Sequence, residues 1–253
     1  MRKNKVGAIA IKGFALLVVL GIAVLGTAHR AMAQDATTPY PNMAPIGQYL
    51  MDRTAEIALA RSAAPESISR DAEVLVLGPH GFETAVKGKN GWVCMVGRGW
   101  GMFDWPEFWN PKIRAANCVN PPAARSVVPL MNKQTELLLA GHSKVEVIAA
   151  IKAAFEKKEL PALEPGGVSY MMSKSAYLTD QGQHNGPHLM WFTTLADGKD
   201  WGAYAAGSPV ISAPYWFFSS NNPSQTKGLP PVLVFLVGVA DWSDGTPASK
   251  HGD

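Results

Sequence analysis

Three segments of the chain have the character of helices. Residues 46–63 place apolar side chains near one face and charged ones on the rest, as an amphipathic helix does. Residues 123–139 form a second helical segment. The third, residues 143–158, has the clearest start, because Ser143 and Glu146 match the S-x-x-E capping box ahead of an apolar face. The pattern predicts three helices in the first two thirds of the chain.

Short apolar runs bounded by turn residues predict the strands. Asn90-Gly91 separates two of these runs and is typical of a tight hairpin, so the second and third strands are expected to pair. The last run is apolar at nearly every position, which favours a central strand covered on both faces. The predicted strands are residues 74–77, 82–86, 92–96, 168–172, 189–193 and 232–240.

Between residues 97 and 118 the periodicity gives way to turns and aromatic side chains. Trp100, Trp105 and Trp109 are the largest of them and are candidate pocket-wall residues. One interpretation is a stacking platform for a flat ligand or a sugar. The other, which we favour, is a lid over the face of the sheet that the helices leave open, since a buried aromatic side chain removes about 150–250 Å² from water.

The order of these elements indicates the fold class. Strands, then helices, then strands predict an α+β fold with a mostly antiparallel sheet, helices on one face and an aromatic loop tied by a disulfide. Residues 34–241 are long enough for a single domain, and no linker divides them. Residues 242–253 are rich in Ser, Gly, Pro and charge, which predicts a disordered tail.

Residues 1–33 have the three parts of a secretory signal peptide. Cationic residues precede an uncharged, mostly apolar run over 13–27, and Ala31-Met32-Ala33 matches a signal peptidase site. The run is shorter than the roughly 20 residues of a membrane-spanning helix. We therefore expect cleavage before Gln34, no membrane anchor afterwards, and a periplasmic or extracellular location.

The predicted cleavage also changes the charge. Of 23 Lys and Arg residues, five lie in residues 1–33, which hold no acid, so the remainder carries 18 cations against 20 acids. No stripe rich in Lys and Arg remains after cleavage, which argues against a nucleic acid as partner.

The chain holds two cysteines, Cys94 and Cys118, both after the predicted cleavage site. An even number of cysteines in an exported chain favours a disulfide, because oxidising compartments form and keep them. The alternative is a metal site with two Cys ligands, but such sites usually have closer spacing and further ligands nearby.

Two histidines form the strongest candidate site. His184 and His188 flank a Gly-Pro turn that leads into the predicted strand at residue 189, with Asp180 and His80 as further ligand candidates. Imidazoles bind metals and transfer protons near neutral pH, so both a divalent metal site and a general base are possible functions for these histidines. The alternative is that His188 is a hydrogen-bonded histidine of the core. No cofactor-binding residues are predicted.

The sequence carries no motif that specifies a reaction. Tyr170 and Lys174 have a Y-x-x-x-K spacing, but no G-x-G-x-x-G follows a strand, so a dinucleotide enzyme is not supported. A G-x-S-x-G elbow is also absent from the sequence. Whether the protein is an enzyme is therefore left open.

Three stretches of the chain resemble a family of uncharacterised exported bacterial proteins. They are residues 63–72, residues 89–94 and Pro187-His188-Leu189-Met190. The resemblance implies export and one domain, without an activity or a cofactor. Three functions stay open: binding of a small molecule or metal near His184 and His188, an exported hydrolase that uses these histidines, and a structural or partner-binding envelope protein.

Overall fold

The computed structural model describes residues 39–181, 186–194, 197–203, 205–208, 210–213 and 227–248. The predicted signal peptide, Gln34 and His184 lie outside these residues, as do residues 249–253 of the predicted tail. Among the described residues, no helix has both the length and the apolar character needed to cross a membrane.

The described residues form one α+β domain, as predicted. The helices are α1 (Arg53–Arg61), α2 (Glu66–Ser69), α3 (Pro121–Ser126), α4 (Val128–Leu139) and α5 (Lys144–Glu156), with short 3₁₀ turns at Ile46–Gln48, Gly99–Gly101 and Lys199–Trp201. The strands are β1 (Glu73–Gly78), β2 (Gly81–Val86), β3 (Val93–Gly97), β4 (Ala115–Val119), β5 (Val168–Met171), β6 (His188–Thr193), β7 (Val210–Ala213) and β8 (Leu233–Gly238).

The strands form one sheet in the order β2-β1-β3-β4-β5-β6-β8-β7. All neighbours are antiparallel except β1 and β3, so the prediction of a mostly antiparallel sheet is confirmed. The predicted last strand lies next to the edge rather than at the centre, because β7, which the sequence analysis missed, pairs with it outside.

The predicted hairpin at Asn90-Gly91 is wrong. The tight turn after Gly78 folds β2 back along β1, so β3 takes the other side of β1 and runs parallel to it. Gly91 does have the positive φ of a turn residue, at +76°. However, the amides of Lys89 and Asn90 donate to Asp71 O rather than across a hairpin. The turn therefore carries the chain across the start of β1.

The disulfide between Cys94 and Cys118 is confirmed. The two residues are direct cross-strand partners on β3 and β4, with their Cα atoms 4.0 Å apart. The sequence analysis placed Cys118 at the end of a loop, whereas it lies in β4. The aromatic segment over residues 98–114 is thus the connection between two paired strands, and we call it the β3–β4 connection.

Helices cover both faces of the sheet, rather than one face as predicted. Alternate residues of a strand point to opposite faces. On one face Ala60 of α1, with Ala63 and Ala64 directly after the helix, packs in one cluster with Cys94 and Cys118. On the other face the β3–β4 connection packs in the same cluster as α3, α4 and α5, through Trp100 and Phe108. The aromatic segment therefore shares a face with the larger helices, and α1 covers the face assigned to a lid.

The first predicted helix is two elements. A 3₁₀ turn over Ile46–Gln48 is followed by four residues outside any helix, and α1 then starts at Arg53. Asp52 divides them, because its side chain accepts a hydrogen bond from the amide of Ala55 as an N-cap. The capping box of Ser143 and Glu146 at the start of α5 is present as predicted.

A buried ion pair fixes α1 and the N-terminal segment to the end of β3. Arg98 Nη2 lies 2.9 Å from Glu56 Oε1, and both side chains are almost fully buried. Arg98 Nε also donates to Tyr49 O, and Glu56 accepts from the amide of Leu77. Burial lowers the pKa of Arg98 to about 10, which leaves it charged at neutral pH. The two charges neutralise each other beneath the site described below.

The expectation of a disordered tail does not hold for residues 242–248. The amide of Trp242 donates to Thr246 O, and Ser243 Oγ donates to Ser62 O at 2.6 Å. Lys174 Nζ lies 2.8 Å from Asp244 Oδ2. The contacts with Ser62 and Lys174 join residues far apart in the sequence, so the local composition gave no sign of them.

Candidate functional site

A cavity of about 370 Å³ lies on the face of the sheet that α3, α4 and α5 cover, under the β3–β4 connection. Ligand pockets of proteins commonly measure about 300–1,000 Å³, so the cavity can hold a small molecule. Its floor includes Asn117, Ser169, Met171, His188, Met190 and Phe192, and its cover includes Met102, Trp105, Met131 and Leu178. Most of these side chains are apolar.

The strand register brings the polar residues of the floor together. Met171 is the direct partner of His188, and Ser169 is the direct partner of Met190. Ser169 also pairs with Val119 of β4. Because residues two apart on a strand share a face, Ser169 and His188 are diagonal neighbours on adjoining strands. The floor therefore presents a hydroxyl, an imidazole and two thioethers at neighbouring positions of β5 and β6.

His188 is the first residue of β6 and is only 3% exposed. Its Nδ1 lies 2.7 Å from Gly186 O, and since a carbonyl can only accept, Nδ1 carries the hydrogen. Burial lowers the pKa of His188 below its ordinary value, which favours the neutral ring. A neutral ring protonated at Nδ1 leaves Nε2 as a hydrogen-bond acceptor. His188 is therefore held by its backbone neighbour and offers a lone pair.

Ser169 lines the same cavity and is 1% exposed. Its hydroxyl has no hydrogen-bond partner among the residues that the structure describes. Buried polar atoms are nearly always paired, because an unpaired hydroxyl away from water costs about 1–3 kcal/mol. A buried, unpaired hydroxyl in the wall of a cavity is the arrangement expected when a bound molecule supplies the missing partner.

The cover is attached firmly to the helices. Trp100 Nε1 donates to Thr135 Oγ1 of α4 at 3.1 Å, and Gln134 of α4 donates to Trp100 O. Lys144 of α5 donates to Phe103 O at 2.6 Å. These three bonds hold the β3–β4 connection over the sheet, so the cavity is built by both layers of the fold.

The three predicted pocket-wall tryptophans divide between the cavity and the core. Trp105 lines the cavity. Trp100 is buried against Tyr49, with their ring centroids 4.9 Å apart. Trp109 packs on Phe108, with their ring centroids 4.5 Å apart. The aromatic segment thus acts mainly as core, and one of its tryptophans reaches the site.

Asp180 belongs to a separate polar cluster beside the cavity. Its carboxylate accepts hydrogen bonds from the hydroxyls of Tyr40 and Tyr177 and lies 3.2 Å from Lys112 Nζ. The two tyrosine hydroxyls, with Lys112, hold the pKa of Asp180 well below its usual range. The buried Glu107 fixes the same turn by accepting from the amide of Asp180. The Asp180 carboxylate is therefore already occupied by these partners.

Among the described residues, the fold does not place any other predicted ligand next to His188. His80 is exposed in the turn between β1 and β2, and three strands separate β1 from β6. His184 lies outside the described residues. Across those residues, no group of three or more His, Cys, Asp or Glu side chains is arranged to hold a metal ion.

A second cavity of about 480 Å³ lies next to the first. Gly186 and Pro187 line it on one side, and residues 238–241 with Pro247 and Ala248 on the other. His188 and Leu236 line both cavities. His188 thus borders both spaces.

Sequence reasoning missed Ser169 and the methionines of the site. The sequence did carry a signal for them, because residues two apart on a strand share a face. Ser169 and Met171 have this spacing on one strand, and His188, Met190 and Phe192 have it on another. The pairing of these two strands was the missing information.

Comparison with protein-family models, with curated proteins and with solved structures finds no match to this chain.

Proposed function

We propose that this protein binds a small, neutral and mostly apolar molecule in the 370 Å³ cavity, with His188 and Ser169 as its polar anchors. The observation that carries the proposal is the unpaired hydroxyl of Ser169 in the cavity wall. A ligand that bonds to this hydroxyl would remove the cost of burying it. The neutral His188 offers a second hydrogen bond from the same floor.

The charges around the cavity also favour a neutral ligand. Arg98 lines the cavity, but its guanidinium is paired with Glu56. Lys112 and Asp180, near the edge of the cover, lie 3.2 Å apart and neutralise each other. An ionised ligand would lose its hydration without gaining an unpaired partner of opposite charge from these groups.

The hydrolase alternative receives less support. A serine nucleophile is normally hydrogen-bonded to the histidine that activates it. Ser169 Oγ makes no hydrogen bond, so the described residues do not assemble a serine–histidine pair with His188. The imidazole is also held by a backbone carbonyl instead of a carboxylate.

We further propose that the protein is exported. The Cys94–Cys118 disulfide supports this proposal, because such bonds persist mainly in oxidising compartments. N-terminal sequencing of protein from the periplasm or medium should start at Gln34. Recovery of the chain only from the cytoplasm, with its first residues retained, would contradict export.

Extraction of purified protein tests the binding proposal directly. Wild-type protein should release a small organic molecule into solvent, detected by mass spectrometry, in about one equivalent. Leu178→Trp would fill the cavity from its cover and should abolish recovery. Val145→Trp is a matched control, because Val145 is 63% exposed on α5 and a tryptophan there should not affect recovery. Equal recovery from both variants would place the molecule elsewhere.

A further inference from the structure

We infer that the ligand is a planar aromatic molecule that carries a neutral hydroxyl or N–H donor. The inference rests on the proposed function and names the class of molecule that the cavity selects. Its observations are the protonation state of His188, the thioethers around the imidazole and the unpaired hydroxyl of Ser169.

The donor follows from His188. Its Nδ1–H is bound to Gly186 O, so only Nε2 can meet a ligand, and Nε2 can only accept. A ligand group that merely accepts, such as an ether or a ketone, would face the lone pair without a bond. A hydroxyl or N–H group satisfies it. The buried, neutral state of the ring keeps this preference at neutral pH.

A hydroxyl fits better than an amine, because it can serve both polar residues. Ser169 and His188 are diagonal neighbours on β5 and β6, both facing the cavity. A single ligand hydroxyl can donate to His188 Nε2 while its oxygen accepts from Ser169 Oγ. This arrangement pairs the Ser169 hydroxyl, which has no partner among the described residues. One ligand group thus completes the hydrogen bonding of the floor.

The aromatic ring follows from the thioethers. Met171 lies directly opposite His188 and Met190 lies two residues along β6, so two methionines neighbour His188 on the floor of the cavity. Met102 and Met131 line the cavity from the cover and α4. Thioethers make favourable contacts with aromatic rings, about 0.3–1.5 kcal/mol each, that a saturated chain does not offer. The indole of Trp105 adds an aromatic partner in the cover.

Calorimetric titration with matched probes tests this class. We expect 2-naphthol to bind about tenfold more tightly than 2-methoxynaphthalene, which has the same rings but no donor. 2-Naphthoate tests the exclusion of charge, and 1-decanol supplies a hydroxyl without a ring. Both should bind at least tenfold more weakly than 2-naphthol.

Variants assign each preference to its residues. His188→Phe keeps a ring but removes the acceptor, so the advantage of 2-naphthol over 2-methoxynaphthalene should disappear. The double change Met171→Leu and Met190→Leu keeps the size of the floor, and it should weaken 2-naphthol while leaving 1-decanol unchanged. Met95→Leu is the control, because Met95 is buried in the same core but is not a lining residue of the cavity. Circular dichroism and urea unfolding establish that each variant is folded.

The outcomes separate the two proposals. If 1-decanol or 2-methoxynaphthalene binds as tightly as 2-naphthol, the aromatic donor class is refuted and small-molecule binding stands. If none of the probes binds but extraction recovers a neutral aliphatic molecule, only the aromatic donor class is refuted. Recovery of a charged molecule would contradict the proposed function as well. If no probe binds and extraction recovers nothing, both proposals are overturned.

Discussion

Ser169→Ala should stabilise the empty protein and weaken ligand binding at the same time. The Ser169 hydroxyl is buried without a partner among the described residues, so it opposes folding until a ligand pairs with it. Its removal takes away that cost in the free protein and takes away a hydrogen bond in the complex. Most substitutions in a core reduce stability, which makes the expected gain distinctive.

The magnitude follows from the burial of the hydroxyl. An unpaired buried hydroxyl costs about 1–3 kcal/mol, and the lost contacts of the oxygen atom offset part of this. Since the side chain already borders a cavity, its loss enlarges that space and creates no new enclosed void. We expect the free energy of unfolding to rise by about 0.5–1 kcal/mol and probe affinity to fall about tenfold.

Ser173→Ala is the matched control. Ser173 is 3% exposed, but its hydroxyl lies 2.6 Å from Ser62 Oγ and accepts from the amide of Ser175. Its loss should lower the free energy of unfolding by about 1 kcal/mol and leave 2-naphthol binding unchanged. Urea unfolding of the ligand-free proteins, followed by circular dichroism, gives the first quantity and calorimetry the second. If Ser169→Ala destabilises as much as Ser173→Ala, the hydroxyl is paired in solution and the reasoning fails.

Three further predictions concern stability. Burial lowers the pKa of His188 below 6.5, so the unfolded chain takes up the proton first and the free energy of unfolding falls as the pH drops below about 6.5. Urea unfolding at pH 7.5 and 5.5 should show a smaller loss of stability in His188→Gln than in the wild-type protein. Equal losses in the two proteins would contradict this. Replacing both Cys94 and Cys118 with alanine should lower the free energy of unfolding by about 3 kcal/mol, and an unchanged urea midpoint would refute it. Gly99→Ala should lower the melting temperature by several degrees, because the added Cβ would lie 2.5 Å from Glu107 O. Gly47→Ala is the control and should leave the melting temperature unchanged, because the added Cβ would lie in open space.

The candidate site could be only partly foreseen. His188 was a candidate because imidazoles bind metals and transfer protons near neutral pH, and the structure places this residue in a cavity wall. Its partners depend on which strand lies beside β6. Asp180, which is close in sequence, is instead bound to Tyr40, 140 residues away. Proximity along the chain was a poor guide to the neighbours of these side chains.

Elements with local signals were determined by the sequence itself. The start of α5 follows from Ser143 and Glu146, because the capping hydrogen bonds join residues three apart. Most strands were also evident, because alternation and turn residues act over a few positions. The disulfide followed from the number of cysteines and the predicted compartment, with no need to know that Cys94 and Cys118 face each other across two strands.

Tertiary structure alone decided how these elements were arranged. The segment after Gly91 could have closed a hairpin with β2, but the far side of β1 was free and β3 paired there in parallel. The small side chains of Ala60, Ala63 and Ala64 allow α1 and the residues after it to cover the disulfide, which leaves the opposite face to α4, α5 and the β3–β4 connection. The cavity lies between that face of the sheet and the β3–β4 connection. Strand pairing and face selection depend on contacts between distant residues, and the local hydrophobic pattern is the same for several such arrangements.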